Sequence, residues 1–169
     1  MDVIDTVRNT LSVYAESDVR ALLVCDHEAI ADLAQQLVDA TTAPARHALI
    51  DRLQPLLRAH ARAEEETVYA ALTEVEDSAA PRVKGFEGGI EHQLVDVALA
   101  GLVDKLDAPT DLWTAHAKVL HDLVDRHISD EENKTFEEVG ERFSVEERAV
   151  LAADFERRRQ MLLAGSAAA

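Results

Sequence analysis

The sequence contains little cysteine, few aromatic residues, and few glycines and prolines. Its 169 residues include one cysteine, Cys25, which excludes an internal disulfide and is typical of a reducing cytoplasm. Six glycines and four prolines are too few for an all-β chain with many turns. An aromatic fraction of 4% beside abundant Ala, Leu and Val favours helix over sheet. The composition therefore predicts an all-α protein.

Positive charge is also scarce, because 17 Lys and Arg residues face 33 Asp and Glu residues, for a formal net charge of −16. Such a chain repels phosphates, so nucleic acid is not expected as a partner. No apolar run reaches the roughly 18 residues of a membrane-spanning helix. The N-terminus lacks the basic and apolar regions of a secretory signal. We therefore expect a cytoplasmic protein without a membrane partner.

Helical periodicity extends over most of the chain and predicts a single domain over residues 1–169. We expect an antiparallel, up-down-up-down four-helix bundle at about 17–140, with extra helices at both termini. Ser17 is the expected N-cap of the first long helix, and Ser144-Val145-Glu146-Glu147 is a capping box that begins the closing helix. The helices are expected at about 2–15, 18–39, 45–76, 89–106, 111–139 and 145–163, with a frayed tail at 165–169.

The longest loop is expected between the second and third bundle helices, at about 76–89. This stretch contains Pro81, Gly85, Gly88 and Gly89, which are residues that commonly interrupt helices.

A pattern of possible metal ligands occurs twice in the chain. It is a lone histidine followed, after 33 residues in one copy and 35 in the other, by His-x-x-x-Glu. The members are His27, His60 and Glu64 in the first copy, and His92, His127 and Glu131 in the second. Residues i and i+4 of an α-helix lie on one face, about 6 Å apart along the axis, so each His–Glu pair points in one direction.

These six side chains lie within the apolar stripes of the predicted helices, and the hairpin lengths place all four histidines near mid-height of one bundle. Six polar groups in one core are costly unless they are paired or bind metal. A single His-x-x-x-Glu is ordinarily a solvated pair, and the alternative for two copies is a buried hydrogen-bond network without metal. We favour a two-metal site with approximate two-fold symmetry, since bundle cores hold such sites.

Imidazole and carboxylate without thiolate disfavour a structural zinc or an iron–sulfur site, whereas iron, manganese or zinc ions are all compatible. Two bridging carboxylates, two imidazoles per ion and a bridging oxo or hydroxo group would leave an open position on each octahedral iron for a small molecule. The side chains expected to keep that position dry are Leu23, Leu53, Leu57 and Leu123.

Other polar residues are expected outside the ligand set. Asp96, four residues after His92, is either a solvated acid or a group that reaches the metal or a metal-bound imidazole. Surface or structural positions are expected for His47, His116 and His121. Contact with solvent or with groups around the ligands is expected for Glu65, Glu66, Asp130 and Glu132.

The complete pattern resembles the hemerythrin HHE cation-binding family. Besides the six ligand positions, the resemblance rests on three strings and covers roughly residues 17–140. The strings are Asp26-His27-Glu28, His60-Ala-Arg-Ala-Glu64-Glu65 with Val68-Tyr69 after it, and Glu91-His92. The resemblance implies a four-helix bundle with a non-haem di-iron centre in which the two glutamates bridge the irons.

Two departures distinguish the chain from oxygen-carrying members of that family. A fifth histidine is missing, because Gly88 and Asp96 stand at the candidate positions four residues from His92. The last motif ends in Glu131 at i+4 rather than in Asp at i+5. The chain is therefore similar to the symmetric, hemerythrin-like members, which are associated with reactions or sensing of dioxygen, peroxide or nitric oxide, and in some cases with iron–sulfur repair.

These observations predict a non-haem di-iron protein that binds and reacts with small oxidants, namely hydrogen peroxide, nitric oxide or dioxygen. As an enzyme it would be a peroxide- or nitric-oxide-consuming oxidoreductase. One alternative is a reversible oxygen-binding, sensing or iron-storage module without turnover, and another is a helical interaction protein with a polar core. The expected partner is a small-molecule oxidant, and the chain is expected to be a monomer or a homodimer.

Overall fold

The computed structural model describes residues 18–166, which form five long helices. Helix α1 spans Val19–Asp39, α3 spans Ala79–Val103 and α5 spans Val145–Ser166. Helices α2 and α4 each contain a π-helical turn between two α-helical segments. In α2 the segments are Ala43–Glu64, π-helical Glu65–Tyr69 and Ala70–Thr73, and in α4 they are Thr110–Asp130, π-helical Glu131–Thr135 and Phe136–Arg142.

The helices pack as a bundle. Helix α1 contacts α2 and α4, and α3 contacts α4 and the C-terminal part of α2. Helix α5 lies over α1 and α2. Among the described residues, none of the helices combines the length and apolar character needed to cross a lipid bilayer.

Two clusters of apolar side chains form the interior. The first, here called the distal core, lies among α1 to α4 and includes Leu37, Leu99 and Trp113. The indole Nε1 of Trp113 donates a hydrogen bond of 2.9 Å to the carbonyl oxygen of Leu37, so this buried side chain keeps its polar atom satisfied. The second cluster, the α5 core, includes Tyr69 and Phe155 and is completed by α5. The six side chains of the repeated pattern lie between these clusters in all four bundle helices.

The helix ends follow the capping rules, with one correction. The N-cap of α1 is Asp18, whose carboxylate accepts from the backbone N–H of Arg20, and not the predicted Ser17, which is outside the described residues. The predicted capping box is confirmed, because the backbone N–H of Glu147 donates to Ser144 Oγ and that of Ser144 donates to the Glu147 carboxylate.

The predicted loop at 76–89 is wrong, since α3 begins at Ala79. Pro81 is in the first helical turn, where its missing N–H costs nothing. Gly88 is buried against Tyr69, and a Cβ at this position would lie 2.5 Å from Tyr69 Oη and closer still to two ring carbons. Gly88 therefore permits close packing rather than a turn, which is why its presence misled the sequence-based prediction.

The remaining boundaries differ by a few residues from the predicted ones. Helix α2 ends at Thr73 rather than near 76, and α3 ends at Val103 rather than near 106. The predicted frayed tail begins too early, because α5 continues to Ser166. The expected leading helix at 2–15 lies outside the described residues.

Candidate metal centre

The structure brings the six side chains of the repeated pattern together in the middle of the bundle. All six residues are buried, with no more than 6% of the surface of any residue exposed. They come from α1 (His27), α2 (His60 and Glu64), α3 (His92) and α4 (His127 and Glu131).

Each histidine presents Nε2 to a central carboxylate. His27 Nε2 is 3.1 Å from Glu131 Oε2, and His92 Nε2 is 3.4 Å from Glu64 Oε2. The two i,i+4 pairs are slightly wider, with 3.6 Å between His60 Nε2 and Glu64 Oε2 and 3.7 Å between His127 Nε2 and Glu131 Oε2. Four imidazole nitrogens and two carboxylates therefore converge on one small volume.

Two overlapping sets of donor atoms, with the atoms of each set within 4.8 Å of one another, could hold ions. They are His27, His60, His127 and Glu131, and His60, Glu64, His92 and His127. Since His60 and His127 belong to both sets, ring distances decide the pairing. The ring centroids are 5.1 Å apart for His27 and His60 and 4.6 Å for His92 and His127, against 6.4 Å for His27 and His127 and 6.3 Å for His60 and His92. We call His27 with His60 half-site A, and His92 with His127 half-site B.

The outward-facing Nδ1 of every histidine has a carboxylate from a neighbouring helix. The pairs are His27 with Glu132 at 2.9 Å, His60 with Asp26 at 3.4 Å, His92 with Glu65 at 3.2 Å and His127 with Glu91 at 3.0 Å. Such partners fix the ring orientation and tautomer of metal-binding histidines and raise their basicity. The two halves of the chain supply these carboxylates in the same order, so the repeat extends to the groups around the possible ligands.

Sequence reasoning missed two of these carboxylates, Asp26 and Glu91. The available signal was their position, because each directly precedes a histidine of the pattern, yet each serves a histidine on the next helix. Glu65 and Glu132 were expected to face solvent or groups around the ligands, but they contact the possible ligands His92 and His27 directly. By contrast, Glu66 pairs with Arg158 and Asp130 pairs with Lys134 at the surface.

Tyr69 is a further buried group of the cluster that sequence reasoning did not assign to it. Its hydroxyl donates a 3.0 Å hydrogen bond to Glu131 Oε1, and its ring stacks on His92 with 5.5 Å between centroids. Burial and the adjacent carboxylates raise the pKa of Tyr69 well above its usual value, so the phenol remains a proton donor.

The family model of the hemerythrin HHE cation binding domain matches residues 18–139. The chain belongs to this family. Searches of curated proteins and of solved structures give no match. The matched part of this hemerythrin domain contains α1 to α3 and α4 as far as Val139, and therefore all six side chains of the pattern; α5 lies outside it.

The buried charges of the hemerythrin domain compete for protons when no metal is bound. Burial and the negative charge of Glu131 raise the pKa of Glu64 well above its usual value. Burial lowers the pKa of His60 to about 4, whereas Glu131 overcomes the effect of burial on His27 and raises its pKa to about 9. Because metal ligands must be deprotonated, a bound cation would replace protons in this cluster.

Several buried nitrogen and oxygen atoms of the six side chains make no hydrogen bond, and such atoms indicate whether the site suits metal ions. Nε2 of His60 and both carboxylate oxygens of Glu64 are buried without a hydrogen-bond partner in the described part of the chain, and Nε2 of His27 makes no well-aligned hydrogen bond although Glu131 Oε2 is 3.1 Å away. Each such atom is costly to bury. Cations among these donors would satisfy them, so the side chains present fit metal ions.

A small cavity of about 20 Å³ adjoins the four histidines on the side of the distal core. A volume of roughly 10–15 Å³ holds one water molecule, so the cavity admits a ligand of very few atoms. The apolar residues that line it are Ile30, Leu57, Val95, Val124 and Ile128. The predicted lining was thus right for Leu57 and wrong for Leu23, Leu53 and Leu123. Leu23 lies instead in the α5 core.

The other polar candidates lie outside the cluster of the hemerythrin domain. His47 is exposed, and His116 and His121 are half-buried away from the donor sets, as expected. Asp96 is exposed and belongs to neither set of donors, so the structure favours the solvated-acid interpretation.

Proposed function

We propose that the protein is a non-haem di-iron protein that binds and reacts with a small oxidant, namely hydrogen peroxide, nitric oxide or dioxygen. The observation that carries this proposal is the enclosed cluster of four histidines and two glutamates beside a cavity of about 20 Å³. A cavity of this size excludes organic substrates and admits diatomic molecules or peroxide.

The proposed ligands are His27 and His60 for one ion and His92 and His127 for the other, with Glu64 and Glu131 between them. Nitrogen and oxygen donors without thiolate suit iron, and the membership of the chain in a cation-binding family supports a resident metal. Bound there, two irons would supply redox and Lewis-acid chemistry to the small ligand. The antiparallel, up-down-up-down order of α1 to α4 is part of this proposal, and the short connections between consecutive helices support it.

The protein's own residues have separate tasks in this proposal. The outer carboxylates Asp26, Glu65, Glu91 and Glu132 hold the imidazole rings in one orientation. The apolar lining of the cavity excludes bulk water. Tyr69 Oη donates a hydrogen bond of 3.0 Å to Glu131 Oε1 and holds that carboxylate in one orientation.

Turnover by reconstituted protein tests this function. We expect the iron-loaded protein to consume hydrogen peroxide or nitric oxide faster than free iron does. Glu64→Ala and Glu131→Ala should abolish this activity because loss of either central carboxylate separates the metals. His60→Ala and His127→Ala should lose much of the metal, whereas the control variants His47→Ala and His116→Ala, at positions outside the cluster, should retain metal and activity.

The alternative is reversible oxygen binding, sensing or iron storage without turnover. An oxygenated form that is stable for hours in air, with no consumption of peroxide or nitric oxide, would favour that alternative. Equal loss of metal in all four histidine variants would show that the ligand assignment is wrong.

A further inference from the structure

The four outer carboxylates differ in their arginine partners: Glu65 and Glu91 pair with largely exposed arginines, Arg62 and Arg126, whereas Asp26 has a shielded one from α5. Both oxygens of Asp26 accept hydrogen bonds from Arg159, at 2.6 Å from Nε to Oδ2 and 2.6 Å from Nη2 to Oδ1. This pair is largely shielded from water, with 7% of the Asp26 side chain and 21% of the Arg159 side chain exposed. A bidentate guanidinium–carboxylate contact of this kind is short and strong.

The counterpart of Asp26 in the second half of the chain is Glu91, which serves His127 of half-site B. Its arginine neighbour, Arg126, is 3.5 Å away and has 60% of its side chain exposed. An exposed ion pair of this length contributes little. Glu91 therefore retains its negative charge for His127, whereas Arg159 neutralises much of the charge of Asp26.

The distances to the histidines agree with this difference. Asp26 Oδ2 is 3.4 Å from His60 Nδ1, the longest of the four carboxylate contacts, whereas Glu91 Oε2 is 3.0 Å from His127 Nδ1. An outer carboxylate that donates charge to the ring N–H increases the basicity of the nitrogen that binds metal. The outer carboxylate therefore increases the basicity of His60 less than that of His127.

Helix α5 is anchored so that Arg159 stays in place. Phe155 is fully buried and lies edge-on to the His60 ring, with 6.0 Å between centroids. Arg148 at its N-terminal end pairs with Asp18 at 2.9 Å, which attaches α5 to the start of α1. This helix lies outside the part of the chain that matches the family model.

We propose that α5, through Arg159, makes the two half-sites inequivalent, with half-site A binding metal more weakly than half-site B. Arg159 is a positioning residue, because it acts on His60 through Asp26 and touches no ligand atom of the site. This inference rests on the proposed two-metal site. Removal of an outer partner changes metal affinity by roughly 10–100-fold, so we expect the intrinsic affinities of the half-sites to differ by about tenfold.

Calorimetric titration of the metal-free full chain with Zn²⁺ tests this inference, because it needs no redox activity. Wild-type protein should bind two ions in steps whose intrinsic affinities differ by about tenfold. Arg159→Ala should strengthen the weaker step and bring the two to within about threefold, since Asp26 then acts fully on His60. The matched control is Arg157→Ala on the same helix, because Arg157 pairs with Asp154 at the surface and should leave both steps unchanged.

A second variant keeps the test valid if Arg159→Ala does not fold. Asp26→Asn removes the carboxylate from His60 and should further lower the affinity of the weaker Zn²⁺-binding step. The difference in affinity between the two steps should therefore increase.

Two equal steps in the wild type would overturn this inference and leave the two-metal site intact, whereas no Zn²⁺ binding would overturn both. A lower melting temperature of metal-free Arg159→Ala with an unchanged gap would show that Arg159 only anchors α5, and would also overturn it.

Discussion

A pair of adjacent glycines on α3 offers a sharp test of how Tyr69 is held in the site. Gly88 faces the Tyr69 ring, and a Cβ there would overlap it, with Tyr69 Oη at 2.5 Å. At the neighbouring Gly89 a Cβ would have no atom within 4 Å in the described structure. The two positions share a helix and differ in what a methyl group would meet, so each controls for the other.

The expected effects of alanine at these positions have opposite signs. Replacing glycine with alanine inside a helix favours folding by about 1 kcal/mol. At Gly89 no steric overlap opposes this gain in stability. At Gly88 overpacking of a close-packed interior costs up to about 3 kcal/mol, because the Tyr69 ring is fixed between His92 and its hydrogen bond to Glu131. We therefore expect Gly88→Ala to lose about 2 kcal/mol and Gly89→Ala to gain about 1 kcal/mol.

Urea unfolding of the metal-free proteins, followed by circular dichroism, measures both free energies of unfolding. Gly88→Ala should also lose metal or change its optical spectrum after reconstitution, because the displaced phenol no longer donates to Glu131. If Gly88→Ala is as stable as Gly89→Ala, the proposed packing of Tyr69 against α3 is wrong.

Three further predictions concern residues outside the ligand set. Burial raises the pKa of Asp18, but hydrogen bonds from Arg20 and Arg148 outweigh this effect and lower the pKa to about 2, against 3.8 for a free side chain. The charged Asp18 should therefore stabilise the fold above a pH of roughly 4, and this stabilisation should be lost as the pH falls towards 2. In urea unfolding across that range, Asp18→Ala should cost about 1 kcal/mol at neutral pH and nothing in strong acid, whereas a constant difference at every pH would contradict the role of its charge. Arg46 is buried and donates to the carbonyl oxygens of Ala40, Leu106 and Ala108, so Arg46→Lys should cost about 2 kcal/mol, and an unchanged unfolding midpoint would refute this. Asp96→Ala should leave metal content and optical spectrum unchanged, and a shifted spectrum would restore Asp96 as a group close to the metal.

The convergence of the six side chains was predictable because it depends on two regularities. Spacing of i and i+4 places a histidine and a glutamate on one helix face, and similar hairpin lengths bring the two copies to one height. Both follow from helix geometry and need no knowledge of packing. The capping box at Ser144 was predictable for the same reason, since its hydrogen bonds are local.

The features that were mispredicted depend on contacts between distant parts of the chain. Gly88 carries the same local signal whether it forms a turn or accommodates an aromatic ring, and only the position of Tyr69 distinguishes the two. The π-helical turns after Glu64 and at Glu131 likewise have no local signal that would separate them from ordinary helix.

The groups around the site could be predicted only in part. Asp26 directly precedes His27 but serves His60, and Arg159 reaches Asp26 from a helix more than a hundred residues later in the chain. A closing helix was predictable from its capping box, but the residues with which it meets the site were not, because they depend on how α5 packs over α1 and α2.

The iron content of the purified chain after anaerobic reconstitution tests the central claim most directly. If four histidines and two glutamates form a two-metal centre, the protein should hold about two irons per chain after removal of free iron, with an oxo-to-iron charge-transfer band in the oxidised form. A content of one iron or none per chain would contradict the account.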